Sequence, residues 1–136
     1  GGAIAANASG GGTSSLGSLV SAPGGGGSIW IGVTNDPGTG LYTGGYPGLA
    51  ATGGNIVNIA GSPGAPGISI NSSTLAGHGG DSPLGCGGFG SSKLAAIAAV
   101  GSGFGSGAGG IANAPNQPGR PGGAGAPGAV IIYEYT

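Results

Sequence analysis

Gly61-Ser62-Pro63-Gly64-Ala65-Pro66-Gly67 and Gly119-Arg120-Pro121-Gly122-Gly123-Ala124-Gly125-Ala126-Pro127-Gly128 each place glycine at every third position. A three-residue period belongs to neither the α-helix nor the β-strand; it is the period of the left-handed polyproline II or polyglycine II strand. Collagen would sustain the register along the chain, and here it breaks after a few triplets. Short strands of this kind have no internal hydrogen bonds, so when buried they must pair sideways with neighbouring strands. Glycine at every third position permits the close approach that such pairing needs, and adds Cα–H to carbonyl contacts.

Working outward, glycines cluster at 10–12, 24–27, 38–48, 53–67, 77–90, 101–110 and 119–128, with short, unlike segments between them. Thirty-nine of 136 residues are glycine and only 4% are charged. Fewer than one residue in five is Ile, Leu, Val or Phe, which leaves a thin conventional core. The disorder signature also requires high net charge, and this chain has a net charge of −1 and a mean hydropathy of +0.27. The composition therefore favours an ordered, backbone-packed structure. The expected fold is irregular and mainly β: a glycine-rich sandwich of packed polyglycine II-type strands with short β-strands, long display loops and little or no α-helix. The length fits one domain spanning 1–136, and a chain without methionine reads as a processed chain or a segment, here as the C-terminal part of a longer chain.

Composition also excludes partners. Two basic residues supply no patch for nucleic acid or anionic lipid. No apolar run approaches membrane-spanning length, and no signal-peptide pattern occurs. A single cysteine, Cys86, builds neither an internal disulfide nor a cysteine-based zinc site. G-x-G-x-x-G matches such as 85–90 and 105–110 are expected by chance at this glycine frequency and precede no ribose-binding acid. His78, Asp81 and Ser82 lie close in sequence without a nucleophile elbow, and read as a turn with local hydrogen bonds. With three carboxylates and one histidine the chain lacks an acid and base pair, so no enzymatic activity, cofactor or metal is expected.

Several stretches read as β. Residues 28–33 alternate Ile29, Ile31 and Val33 against Trp30. Residues 55–59 and Ile68-Ser69-Ile70 are shorter candidates, and 129–136 is the densest β-branched and aromatic run. Only 92–100, with Ser92 as N-cap, has helical propensity, for at most two turns. The candidate binding residues are those on inserts: Trp30, Asn35, Asp36, Tyr42 and Tyr46 near turn sequences, and Asn113, Asn116 and Gln117 in a proline-rich amide loop. Aromatic faces beside Asn, Asp and Gln suit contact with sugars or a protein surface.

Three stretches carry a resemblance. Residues 12–27 (GTSSLGSLVSAPGGGG), 77–85 (GHGGDSPLG) and 123–135 (GAGAPGAVIIYEY) resemble the glycine-rich C-terminal domains of bacteriophage tail-fibre and tail-tip proteins. The terminal motif, a glycine-proline-glycine turn leading into an apolar strand with an acidic and aromatic end, is the most specific of them. Adhesins of T-even-like long tail fibres are similar in plan, although the inserts here are longer, notably 28–48. The resemblance implies a receptor-binding tip at the distal end of a tail fibre on the virion, binding a bacterial outer-membrane protein or surface glycan. It further implies attachment to the fibre shaft, as a monomer capping it or as a homotrimer. The alternative expectation is a self-assembling glycine-rich fibre or coat segment without a specific ligand.

Overall fold

A computed structural model describes residues 8–28, 40–54, 58–70, 73–92, 97–113 and 120–135. Among them the regular structure is small antiparallel β-sheet, with no helix. Strands β1 (Ser14–Leu16) and β2 (Val20–Ala22) form a hairpin that pairs Ser14 with Ala22 and Leu16 with Val20. Its three-residue loop turns at Gly17, whose φ of 52° lies in the left-handed region that glycine enters without steric cost. Strands β3 (Gly40–Tyr42), β4 (Gly67–Ile70) and β5 (Ser73–Leu75) form a second sheet in that order.

Much of the rest of the described chain consists of segments outside the β-strands that bond sideways through their backbones. Ser62 and Ala65 donate their N–H groups to the carbonyls of Asp81 (3.0 Å) and His78 (2.9 Å). Ala76 and Gly79 donate to Ser91 and Gly88, both at 2.9 Å. Gly88 and Ser91 donate onward to Gly107 (3.0 Å) and Gly110 (3.1 Å), which in turn donate to Gly80 (2.8 Å) and Gly77 (2.9 Å). Residues 76–81, 86–91 and 106–110 thus close a ring of backbone hydrogen bonds, and close it again three residues further along. A second ring runs from Gly109 to Ala99 (2.9 Å), from Gly101 to Ala124 (3.1 Å) and from Ala126 to Ser106 (2.9 Å). Towards the N-terminus the same sideways bonding links Ala8 to Ser28, Gly11 to Gly25, Gly26 to Tyr46 and Gly64 to Gly45.

Close approach explains why these segments need glycine. A methyl group on Gly24 or Gly27 would overlap the carbonyl oxygen of Gly11 or Ala8. On Gly77 or Gly80 it would overlap the carbonyl oxygen of Ala65 or Ser62, and on Gly87 or Gly90 that of Gly79 or Ala76. Each pair of glycines is three residues apart and faces carbonyls three residues apart, so one period governs both sides of every contact. The hydrogen standing where Cβ would be points at the oxygen, the arrangement of a weak Cα–H to carbonyl bond.

The interior that results admits only small side chains. Among the described residues, Ser69, Ser91, Ser106, Ala98 and Ala112 are the buried non-glycine ones, and no large side chain is fully buried. Two of the three buried serines bond through their hydroxyls: that of Ser91 accepts from the Ala112 N–H (3.0 Å), and that of Ser106 donates to the Ser102 carbonyl (2.7 Å).

Successive segments reverse direction, so the connections gather at two ends. At one end the β1–β2 hairpin bonds to Thr52 through Ser21, Leu84 bridges Phe104, and the Gly105 N–H donates to the Pro127 carbonyl (2.7 Å). At the other end lies the β3–β4–β5 sheet, with Leu75 bridging Ser92.

The expected strand at Ile68-Ser69-Ile70 is present as β4. The expected C-terminal strand is not: residues 129–135 carry no strand, because no strand edge of the described chain pairs with them. Of the expected helix at 92–100, Ser92 forms a bridge with Leu75 and 97–100 are not helical, while 93–96 lie outside the described residues. Of the other expected strands, 29–33 and 55–57 also lie outside them, and 58–59 are not in a strand.

Close approach sets the cost of substitution. Gly77→Ala or Gly90→Ala should lower the unfolding free energy by about 1–3 kcal/mol, since rigid backbone opposes the new methyl on both sides. Gly12 has open space around its Cβ position, so Gly12→Ala should leave stability unchanged or raise it by about 0.4–1 kcal/mol. Urea unfolding of the three variants measures the difference.

Candidate functional site

At the sheet end, alternation along β4 puts Ser69 inward and Ile68 and Ile70 outward, because the glycine-rich interior has room for serine and not for isoleucine. Ser69 is 6% exposed, Ile68 42% and Ile70 55%. Register extends this pattern across the sheet. Leu41 of β3 pairs with Ile68, and Ile68 pairs with Leu75 of β5, so the three form one cross-strand row. Leu41 and Leu75 are both exposed. Ile68, Ile70, Ser73, Thr74 and Leu75 line a shallow depression of about 250 Å³. Aliphatic side chains that a conventional sheet would bury thus form an outward apolar surface, with no charged residue in any of the three strands.

Backbone and hydroxyl contacts hold this end together. The Thr74 hydroxyl donates to the Asn113 carbonyl (3.0 Å), joining β5 to the start of the proline-rich loop. One residue earlier, Ala112 is buried and held by Ser91.

The sequence-derived candidates distribute as follows. Trp30, Asn35, Asp36, Asn116 and Gln117 lie outside the described residues. Tyr42 closes β3, its backbone paired with Gly67, and Asn113 is half-buried beside β5. Tyr46 is exposed on the framework itself, its Cβ and ring lying over Gly26, and belongs to no loop. Sequence reasoning did not single out Leu41, Ile68, Ile70 and Leu75. The available signal was the Ile-Ser-Ile alternation, which fixes that serine and isoleucine face opposite ways but not which face is inside.

Two titratable groups outside this end, His78 and Asp81, bond to the framework. His78 Nδ1 lies 2.8 Å from the Gly79 carbonyl, within an extended segment and not a turn, and the Asp81 carboxylate accepts from the Gly87 N–H (2.7 Å). Ser82 donates to the Phe104 carbonyl, so the three residues do not bond to one another. Among the described residues no group of three or more His, Cys, Asp or Glu side chains is placed to hold a metal ion. Among the described residues, the chemistry that the sheet end offers is apolar contact framed by backbone and hydroxyl groups.

Compared with known proteins, the chain matches no family model, no curated protein and no solved structure.

The inverted sheet is testable by exchanging size between its faces. Ser69→Leu should cost about 1–3 kcal/mol by overpacking, whereas Ile70→Thr should change stability by no more than about 0.5 kcal/mol. Thermal or urea unfolding distinguishes the two, and an equal loss in both variants would contradict the outward placement of Ile70.

Proposed function

We propose that the chain is a bacteriophage tail-fibre tip adhesin. In this reading a sandwich of packed polyglycine II-type strands forms a rigid frame at the distal end of the fibre, and loops carried on it bind a bacterial outer-membrane protein or surface glycan. The three-residue step of the sideways backbone bonds supports the polyglycine II frame. The observation that carries the functional reading is the convergence of several inserts at one end, around the outward row of Leu41, Ile68 and Leu75. Described neighbours of the aromatic and amide inserts, Gly40 of β3 and Asn113, lie at this end.

The physical advantage of such a plan is preorganisation. Loops anchored on a backbone-bonded frame lose less conformational entropy on binding than free loops. Several tips on one particle would multiply weak single contacts by avidity. An exposed apolar sheet face is a surface that soluble monomers use for partners.

The test is binding of the purified chain to whole bacterial cells from a host panel, and to the same cells stripped of surface glycan. The chain should bind at least one host and block phage adsorption to it. The double substitution Leu41→Asp, Ile70→Asp should weaken binding at least tenfold, about 1.4 kcal/mol, with the fold retained. Binding lost on stripping identifies a glycan receptor and binding retained identifies a protein. Absence of binding to every host would overturn the adhesin reading.

A further inference from the structure

The run Ala129-Val130-Ile131-Ile132-Tyr133-Glu134-Tyr135 combines the chain's strongest β-forming sequence with a complete lack of β-pairing. No backbone hydrogen bond joins it to the described chain. Its apolar and aromatic side chains are out in solvent: Val130 is 50% exposed, Ile132 59%, Tyr133 77% and Tyr135 93%. The run leaves the framework at the end opposite the β3–β4–β5 sheet, beside the β1–β2 hairpin. There Ala129, Val130 and Ile131 share a depression of about 200 Å³ with Leu16 and Val20. Unpaired backbone donors and acceptors in a β-branched run form a template for another strand. Nearby β1 is three residues long and cannot pair the whole run.

We propose that residues 129–135 are the interface strand of a two-fold homodimer, in which the run pairs antiparallel with its own copy about Ile132. Self-complementarity selects this partner. Centred on Ile132, the register sets each Ile131 opposite a Tyr133, the β-branched and aromatic pairing that stabilises antiparallel strands. It sets Ala129 opposite Tyr135, small against large. Glu134, the only charge in the run, falls opposite Val130, so the two carboxylates do not face each other. The chain's net charge of −1 gives little repulsion between copies. A C2 interface needs one self-complementary patch, which this run supplies. The inference stands independently of the adhesin reading, because the sheet end remains free in the dimer and neither result below depends on a receptor.

The experiment measures the mass of the whole chain by sedimentation across a concentration series, together with cysteine cross-linking. Wild type should move towards twice 12.1 kDa, and the chain ending at Gly128 should stay at the single mass. Cross-linking uses a Cys86→Ser background, since Cys86 is exposed and free. With Ile132→Cys the two thiols sit directly across the pair, at Cβ separations of about 4.5–5.5 Å, and should form a disulfide-linked dimer under mild oxidation. With Val130→Cys they are displaced by four residues, about 14 Å along the strands, and should cross-link at least tenfold more slowly. Both positions are solvent-exposed, so the substitutions preserve the frame. A wild-type chain that stays monomeric, a trimer, a dimer that survives the truncation, or equal cross-linking at 130 and 132 would each overturn the proposal.

Discussion

The structure depends on one contact repeated along the chain: a backbone N–H meeting the carbonyl of a neighbouring segment at a separation that leaves no room for a Cβ. Each such bond is individually modest, because folding exchanges it for hydrogen bonds with water. Its repetition at three-residue intervals makes it the organising force. Residues 76–81, 86–91 and 106–110 bond in a closed ring at two levels, so an N–H at each level has its acceptor on the next segment round. Glycine is required there by distance, whereas the left-handed φ of Gly17, Gly53, Gly103 and Gly105 reflects the separate demand of tight turns.

A backbone-packed interior inverts the usual sorting of side chains. Segments held by carbonyl contact leave space for hydrogen, methyl or hydroxymethyl groups, so serine and alanine are the buried residues and leucine and isoleucine are displaced outward. Ser69 and Ile70 show the inversion within one strand. Hydrophobic burial, ordinarily the dominant favourable term in folding, is correspondingly weak here. Part of the apolar surface that it leaves uncovered lies on the β3–β4–β5 sheet and on the C-terminal run, the surfaces proposed above for receptor binding and self-association.

Much of this was legible in the residues. The glycine triplets at 61–67 and 119–128 announced a three-residue period and sideways bonding, and the near absence of charge argued for order without a conventional core. Ile68-Ser69-Ile70 read as a strand and is one. The faces of that strand were not legible, because alternation is symmetric and only the size of the interior breaks the tie. The C-terminal run read as a strand on propensity alone, but propensity reports how residues fit a sheet, not whether a sheet edge is present to receive them. Tyr46 read as a loop residue because Gly-Gly-Tyr-Pro-Gly resembles a turn, whereas its carbonyl accepts the Gly26 N–H within the frame.

By itself, then, the sequence determined the period, the need for glycine and the exclusion of large side chains from the interior, since these follow from steric size and from backbone groups that must be bonded. Tertiary structure decided which segments become neighbours, which end each insert joins and which face of β4 meets solvent. Those outcomes depend on how the chain reverses between segments, and a glycine triplet that can bond to any other carries no information about which one it meets.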